Sequence, residues 1–249
     1  MNILLASSTD WKNFILAIQA FMLGENPYHV QHFWNPTWAL FPLIPFELFP
    51  FGRELLFVVS LVSLAFVAKK LGAKPIGMIA FLLSPLVFDA LLWGNIEWLT
   101  LLGLVMNPLY GIWLLALKPQ MTFILIAFIL IMNWRKSGLK STLKIIALPI
   151  LALLISFALY GFWVIKWFDY SQVTDVNVSF FPYSIILGII LTILAFRRND
   201  LRYALSASLM FFPNLSPTVW LVVPLTFVSS TRFSVLACVA MWTFVFWIR

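Results

Sequence analysis

Long apolar runs, separated by short polar punctuation, fix what this chain can fold into. Hydrophobic residues make up 63% of the 249 and charged residues only 10%, where a soluble globular domain carries about 45–50% and about 25%. A compact core of this length cannot hide that much apolar surface from water. Soluble dehydrogenases, nucleases and binding modules are excluded, and lipid is the solvent expected for most of the chain. A spanning helix needs about 20 mainly apolar residues, so no room remains for a sizeable soluble domain. The expected class is all-α: a polytopic transmembrane helix bundle of about nine or ten spans or half-spans, forming one integral membrane domain over 1–249.

The runs are Leu55–Ala68, Pro75–Leu92, Trp98–Trp134, Ile145–Ile165, Phe180–Phe196, Tyr203–Phe212, Thr218–Val228 and Phe233–Ile248, with Arg135–Lys144 expected as a basic loop and Lys166–Ser179 as a polar one. The third decides the topology. Asparagine before proline favours a turn and proline interrupts a helix, so Asn107-Pro108 predicts a hairpin of two half-spans rather than one crossing. The first 53 residues do not have the pattern of spans. Trp11–Leu23 carries Phe14, Ile15, Ile18, Phe21 and Met22 as an apolar stripe, with Lys12, Asn13 and Gln19 as polar positions. That is the pattern of an amphipathic helix lying in the interface, and Gly24-Glu25-Asn26-Pro27-Tyr28 ends it. Pro36, Pro42, Pro45 and Pro50 crowd the next stretch, which suits a re-entrant or surface segment. Met1–Ser7 is too short to span and forms no complete signal peptide. Residues 1–53 are thus expected as an outer-face interfacial helix and proline-rich loop, and 54–249 as the bundle.

With the hairpin in place, the charges sort by side. Lys69, Lys70, Lys74, Arg135, Lys136, Lys140, Lys144, Arg197, Arg198, Arg202 and Arg232 share one face with only Asp200, a net +10. The opposite face holds five basic residues and eight acidic ones, a net −3, and the two together recover the +7 of the whole chain. The basic side is cytoplasmic by the positive-inside rule, so nearly every carboxylate faces outward. The expected location is the cytoplasmic (plasma) membrane, multi-pass, with the active face outward. The basic residues form no single patch, so the lipid bilayer is the expected partner and nucleic acid is not. The lone Cys238 lies inside an apolar run and forms no internal disulfide.

Polar side chains at membrane depth are expensive and usually face a cavity. Asp10, Asp89, Asn95, Glu97, Lys118 and Gln120 converge on the outer helix ends in this topology. Burying an unpaired ammonium costs at least about 2.5–3.5 kcal/mol, so Lys118 is expected to pair with Asp89 or Glu97, to bind the phosphate of a ligand, or to snorkel to the interface. His29 and His32 stand at i, i+3 without a third histidine or nearby carboxylates, so no metal and no cofactor is expected. Pro213–Pro217, with Asn214 and Ser216, predicts a turn.

The order of short motifs resembles the GT-C fold glycosyltransferases, most closely glycosyltransferase family 87, whose members use a polyprenyl-phosphate-mannose donor. Asp10-Trp11 opening the N-terminal helix, Gly24-Glu25-Asn26-Pro27-Tyr28 and the proline-rich stretch after Asn35-Pro36 resemble the family's first outer loop. Gly94-Asn95-Ile96-Glu97 resembles its Gly-Gln-x-Asn element, Leu117-Lys118-Pro119-Gln120 its Lys-Pro element, and Leu215-Ser216-Pro217 a late Ser-Pro turn. The resemblance implies a mannose-like sugar transferred from a polyprenyl-phosphate donor to an acceptor on the outer face. Asp10 would be the general base and Lys118 would neutralise the donor phosphate. Asn95 and Gln120 would orient sugar or phosphate, with Glu97 and Tyr28 in the substrate-binding set.

Asn95 stands where the family has Gln, the family's members are longer, and the span that precedes the family's first outer loop has no counterpart before Asp10. A partner membrane subunit supplying that span is one expectation. Two other classes remain open: a non-catalytic GT-C-like scaffold subunit of a membrane complex, and a transporter of a lipid-linked substrate, for which the breaks at Asn107-Pro108 and Lys118-Pro119 speak.

Overall fold

The computed structural model describes residues 9–165 and 177–248. Met1–Ser7, most of the polar loop opening at Lys166, and the charges of Lys166, Asp169, Asp175 and Arg249 lie outside them. All regular structure among the described residues is helical.

Helix α1 (Thr9–Met22) buries Trp11, Phe14, Ala17 and Ile18, spaced three and four apart as one helical face requires. Met22, expected on the same stripe, is exposed at the last position. Gly24 leaves the helix at φ +75°. The proline-rich stretch cannot sustain one helix. It forms 3-10 turns at Pro27–His29 and Thr37–Ala39 and the short α2 (Ile44–Leu48), with Trp38, Leu40 and Leu43 buried.

Helix α3 (Gly52–Lys70) runs away from this layer. Helices α4 (Pro75–Leu82) and α5 (Pro85–Trp93) return as a pair bent by 55°, because Pro85 lacks the N–H that would continue α4. Arg53, at the start of α3, donates to the carbonyls of Leu91 and Leu92 at 2.5 and 2.7 Å, so the return ends beside the point of departure.

The next two helices, α6 (Glu97–Leu102) and α7 (Pro108–Leu115), form a hairpin. Asn107 caps α7 by accepting the Leu109 N–H at 3.0 Å. Gly103 and Gly111 let the two backbones touch: a Cβ on Gly103 would lie 2.5 Å from the Gly111 carbonyl oxygen. At 1.5 Å per residue each limb is roughly 10 Å long, a fraction of the about 30 Å of a hydrocarbon core. The chain turns back at Asn107-Pro108, as its sequence predicts.

Helix α8 (Pro119–Tyr160) is continuous except at Gly138, at φ 79° and ψ 172°. Asn133 donates to Ser141 and Thr142 at 3.2 and 3.0 Å; in a straight helix those residues would be about 12 Å apart, so the two limbs fold back on each other. The basic segment Arg135–Lys144, expected as a loop, is instead helical on both sides of this one glycine. Lys, Arg and Leu are good helix formers, and a glycine at positive φ supplies the whole reversal.

Phe123 meets Phe211 and Phe212, while Phe128, further from Lys118, meets Phe196. The first limb of α8 therefore runs toward the junction of α9 (Ile185–Arg198) and α10 (Leu201–Leu209). There Asp200 caps α10 through the Arg202 N–H at 3.0 Å and pairs with the Arg202 guanidinium at 2.6 Å. The Arg202 hydrogen bonds hold its carboxyl below the usual range. Lys70, Gly72, Arg198, Asn199 and Arg202 line one cavity of about 440 Å³. After a 3-10 turn at Pro217–Leu221 come α11 (Val222–Thr226) and α12 (Thr231–Ile248), the latter packed on α4. The bundle thus has a basic end and an opposite end, where α1, the α5–α6 junction and Lys118 meet.

Small hydroxyls occupy the interior (Ser60, Ser84, Thr122, Ser206 and Ser208 are buried), while Val62, Phe66, Leu154, Ile186, Leu236 and Phe244 are exposed. Among the described residues, Pro119–Tyr160 contains an 18-residue stretch apolar enough to cross a membrane, with mean hydropathy 2.3, and the bent α4–α5 pair is long and apolar enough when taken as one span. Gly103→Leu is expected to force the hairpin apart and lower stability by about 1–3 kcal/mol, read as a fall in Tm; an unchanged Tm contradicts the close crossing.

Candidate functional site

Four segments distant in sequence meet at the end away from the basic segments. Helix α1 brings Asp10 in its first turn, the α5–α6 junction brings Asn95 and Glu97, the start of α8 brings Lys118, and the turn before α11 brings Thr218. Gly94 makes the junction possible. It closes α5 at φ +71°, a conformation glycine adopts freely, and a Cβ there would stand 2.8 Å from the Trp11 Cβ and 3.3 Å from the Arg53 Cζ. Pro119 disfavours a helical conformation at the residue before it, and Lys118 is non-helical, at φ −134° and ψ 79°. Thr122 ties this turn by donating to the Leu115 carbonyl at 2.7 Å.

The side chains form one chain of hydrogen bonds. Asn95 Nδ2 donates to Asp10 Oδ2 at 2.5 Å. Asn95 Oδ1 accepts from Lys118 Nζ at 2.7 Å and from the Ile96 N–H at 2.8 Å. Lys118 Nζ also reaches Glu97 Oε1 at 2.7 Å, and Thr218 donates to the same oxygen at 2.7 Å. Glu97 is 1% exposed and Lys118 5%, so both charges have left solvent and each depends on the other. Glu97 Oε2, and Nε and Nη1 of the neighbouring Arg53, are buried without a hydrogen bond among the described residues.

Asp10 is half-buried at the edge of the network. Loss of water is the main force pushing its carboxyl up, to about 6; Lys118 and the Asn95 hydrogen bond oppose it, while Glu97 and Asp89 add to it. A carboxyl that titrates close to neutral pH, with one oxygen fixed and Oδ1 accepting no hydrogen bond among the described residues, has the properties of a general base.

Of the residues singled out in the sequence, the structure unites Asp10, Asn95, Glu97 and Lys118. Asp89 stays outside the bonded network and contributes its charge. Gln120 is half-buried and joins no hydrogen bond of the cluster. Tyr28 packs elsewhere, stacked on Trp163 at 4.6 Å and against Phe33 and Tyr160. His29 and His32 are exposed, and among the described residues no group of three or more His, Cys, Asp or Glu could hold a metal ion. Thr218 and Arg53 escaped the sequence reading. The signal for Arg53 was a lone guanidinium at the start of an apolar run, and for Thr218 a hydroxyl directly after Pro217.

A scan against protein-family models gives no match, and searches of curated proteins and of solved structures give none either.

Removing one partner of a buried ion pair leaves an uncompensated charge, which costs about 3–5 kcal/mol, whereas a neutral pair of similar volume is far better tolerated. Lys118→Met is accordingly expected to be strongly destabilising, and Lys118→Met/Glu97→Gln to recover most of the lost Tm. Equal losses in the two variants would show that the pair is not what holds this end together.

Proposed function

We propose that the chain is a multi-pass membrane protein that transfers a sugar from a polyprenyl-phosphate donor to an acceptor hydroxyl, with Asp10 as the general base. The membrane part rests on the inverted distribution of side chains. Large apolar residues are exposed on α3, α8, α9 and α12 while hydroxyls are buried, and contiguous exposed apolar surface on this scale fits lipid, not water. Three basic segments lie toward one end of the bundle and Asp10, Glu97 and Lys118 at the other, so the positive-inside rule turns the carboxylate end outward.

The single observation that carries the chemistry is the half-buried Asp10 carboxyl, oriented through Oδ2 and open at Oδ1. In the transfer, the acceptor O–H proton passes to Asp10 as the acceptor oxygen bonds to the anomeric carbon. The bond from that carbon to the phosphate oxygen breaks, and polyprenyl phosphate leaves with the electron pair. A departing phosphate needs positive charge more than an acid; the family resemblance assigns that charge to Lys118, whose ammonium is bonded to Asn95 and Glu97. One base with one cation suits transfer from a phosphate better than the two paired carboxylates of glycoside hydrolysis.

The Glu97–Lys118 pair favours a second reading. An ammonium already saturated by a buried carboxylate has little charge to offer a ligand, as a scaffold subunit retaining only the fold would show. Transfer from a radiolabelled polyprenyl-phosphate sugar in proteoliposomes separates the two. Asp10→Asn is expected to slow transfer by roughly 10²–10⁴-fold. The base works only when ionised, so wild-type activity is expected to rise with pH through about 6 and to level off above it. Full activity of Asp10→Asn removes the base, and wild-type protein without any transfer favours the scaffold. Sidedness is checked with single cysteines at Lys74, Lys136 and Arg197 in a Cys238→Ser background. All three are expected to resist an impermeant thiol reagent applied from outside intact cells; labelling of any one overturns the orientation.

A further inference from the structure

The hydrogen-bond chain has a fixed direction, and that direction assigns Lys118 a task other than meeting a ligand. The Ile96 backbone N–H can only donate, and it points at Asn95 Oδ1 from 2.8 Å. That end of the amide is therefore oxygen, and Lys118 Nζ, also a pure donor, confirms it at 2.7 Å. The opposite end is then NH₂, so Asp10 Oδ2 must accept at 2.5 Å. A proton arriving on Asp10 is directed to Oδ1, the oxygen at the open edge. On the other side of the ammonium, Glu97 Oε1 accepts both from Lys118 and from Thr218, each at 2.7 Å. Two donors on one carboxylate oxygen hold Nζ where it can reach Asn95.

We infer that Lys118 is a positioning residue: clamped by Glu97 and Thr218, it acts through Asn95 to orient Asp10 and to set how tightly that carboxyl holds a proton. This rests on the reading of Asp10 as the functional base and deepens it. It also departs from the part that the family resemblance implies for Lys118, direct contact with the donor phosphate. A lysine buried to this degree, with two oxygen acceptors at 2.7 Å, is committed within the protein.

Other charged groups could act on Asp10 and must be separated from the chain. Glu97 and Asp89 raise its proton affinity by charge alone. Arg53 lies beside Gly94 and Trp11, Glu47 of α2 is bonded to Gln19 of α1 at 3.0 Å, and the neighbouring turn carries the exposed His29.

The test is the pH dependence of carbodiimide labelling of Asp10 in the full-length protein. Carbodiimides react with the protonated carboxyl, and peptide mass spectrometry locates the adduct. The readout needs neither donor nor acceptor, so a failure of sugar transfer leaves it intact and the two ideas fail separately. The wild-type midpoint is expected near 6. Glu97→Gln is the reference for Lys118→Met/Glu97→Gln, because losing the Glu97 charge by itself lowers the midpoint; the double variant against that reference, and Asn95→Leu against the wild type, are each expected to raise it by about one pH unit, a tenfold change in proton affinity. Part of the Lys118 effect is its charge acting through space and part runs through Asn95, so the triple variant is expected to shift by less than the sum of the two. An unmoved or lowered midpoint in either comparison overturns the inference. Fully additive shifts in the triple variant overturn it as well, since Lys118 would then act on Asp10 through space alone.

Discussion

One buried ion pair sets the architecture of this end of the molecule. Glu97 opens the short hairpin of α6 and α7, Lys118 follows its exit, and their side chains meet at 2.7 Å out of reach of water. Taking both charges out of solvent costs several kcal/mol per ion, and mutual attraction offsets this only when geometry and additional hydrogen bonds are good. Asn95 and Thr218 supply those bonds, and the hairpin brings the partners together. The pair, in turn, requires that residues 97 and 118 leave the bundle at the same end. A single 20-residue crossing would separate them by about 30 Å and leave both ions unpaired. The position of α8, and through it of the basic limb at Gly138, follows from this constraint.

In the proposed transfer, the same constraint suits Asp10 to act as the base. Its own burial favours the neutral acid, while the charge of Lys118 and the hydrogen bond from Asn95 favour the carboxylate. The balance leaves the group titrating near neutral pH, where an acid–base group works best. Without the ion pair the cation would leave the cluster, and without Gly94 the α5–α6 junction could not approach Trp11 closely enough to bring Asn95 to Asp10.

Much of this was legible in the sequence because local chemistry dictated it. Asn107-Pro108 carries its own turn signal, Gly24 and the proline-rich stretch end and interrupt helices, and the need of a buried ammonium for an anion narrowed the partners of Lys118 to a few carboxylates or a phosphate. What was not legible depends on tertiary placement. Arg53 resembled one more interfacial charge, and only the return of α5 shows that its guanidinium caps two carbonyls. Thr218 is 121 residues from Glu97, and no local pattern joins them. Tyr28 lies in a motif close to Asp10 in sequence, yet its ring is drawn to Trp163, far along the chain. The basic segment misled because charge was equated with a loop, whereas lysine and arginine are content in a helix and one glycine made the turn.

The central claim is that residues 97–118 enter and leave at one end. Pulsed electron resonance between nitroxide labels at Trp93, which is 41% exposed, and at Gln120, which joins no bond of the cluster, measures this directly in a reconstituted bilayer. The account predicts a separation within about 20 Å. A straight crossing would place the labels some 30 Å or more apart at about 1.5 Å per residue, and that distance would contradict the hairpin and the ion pair together.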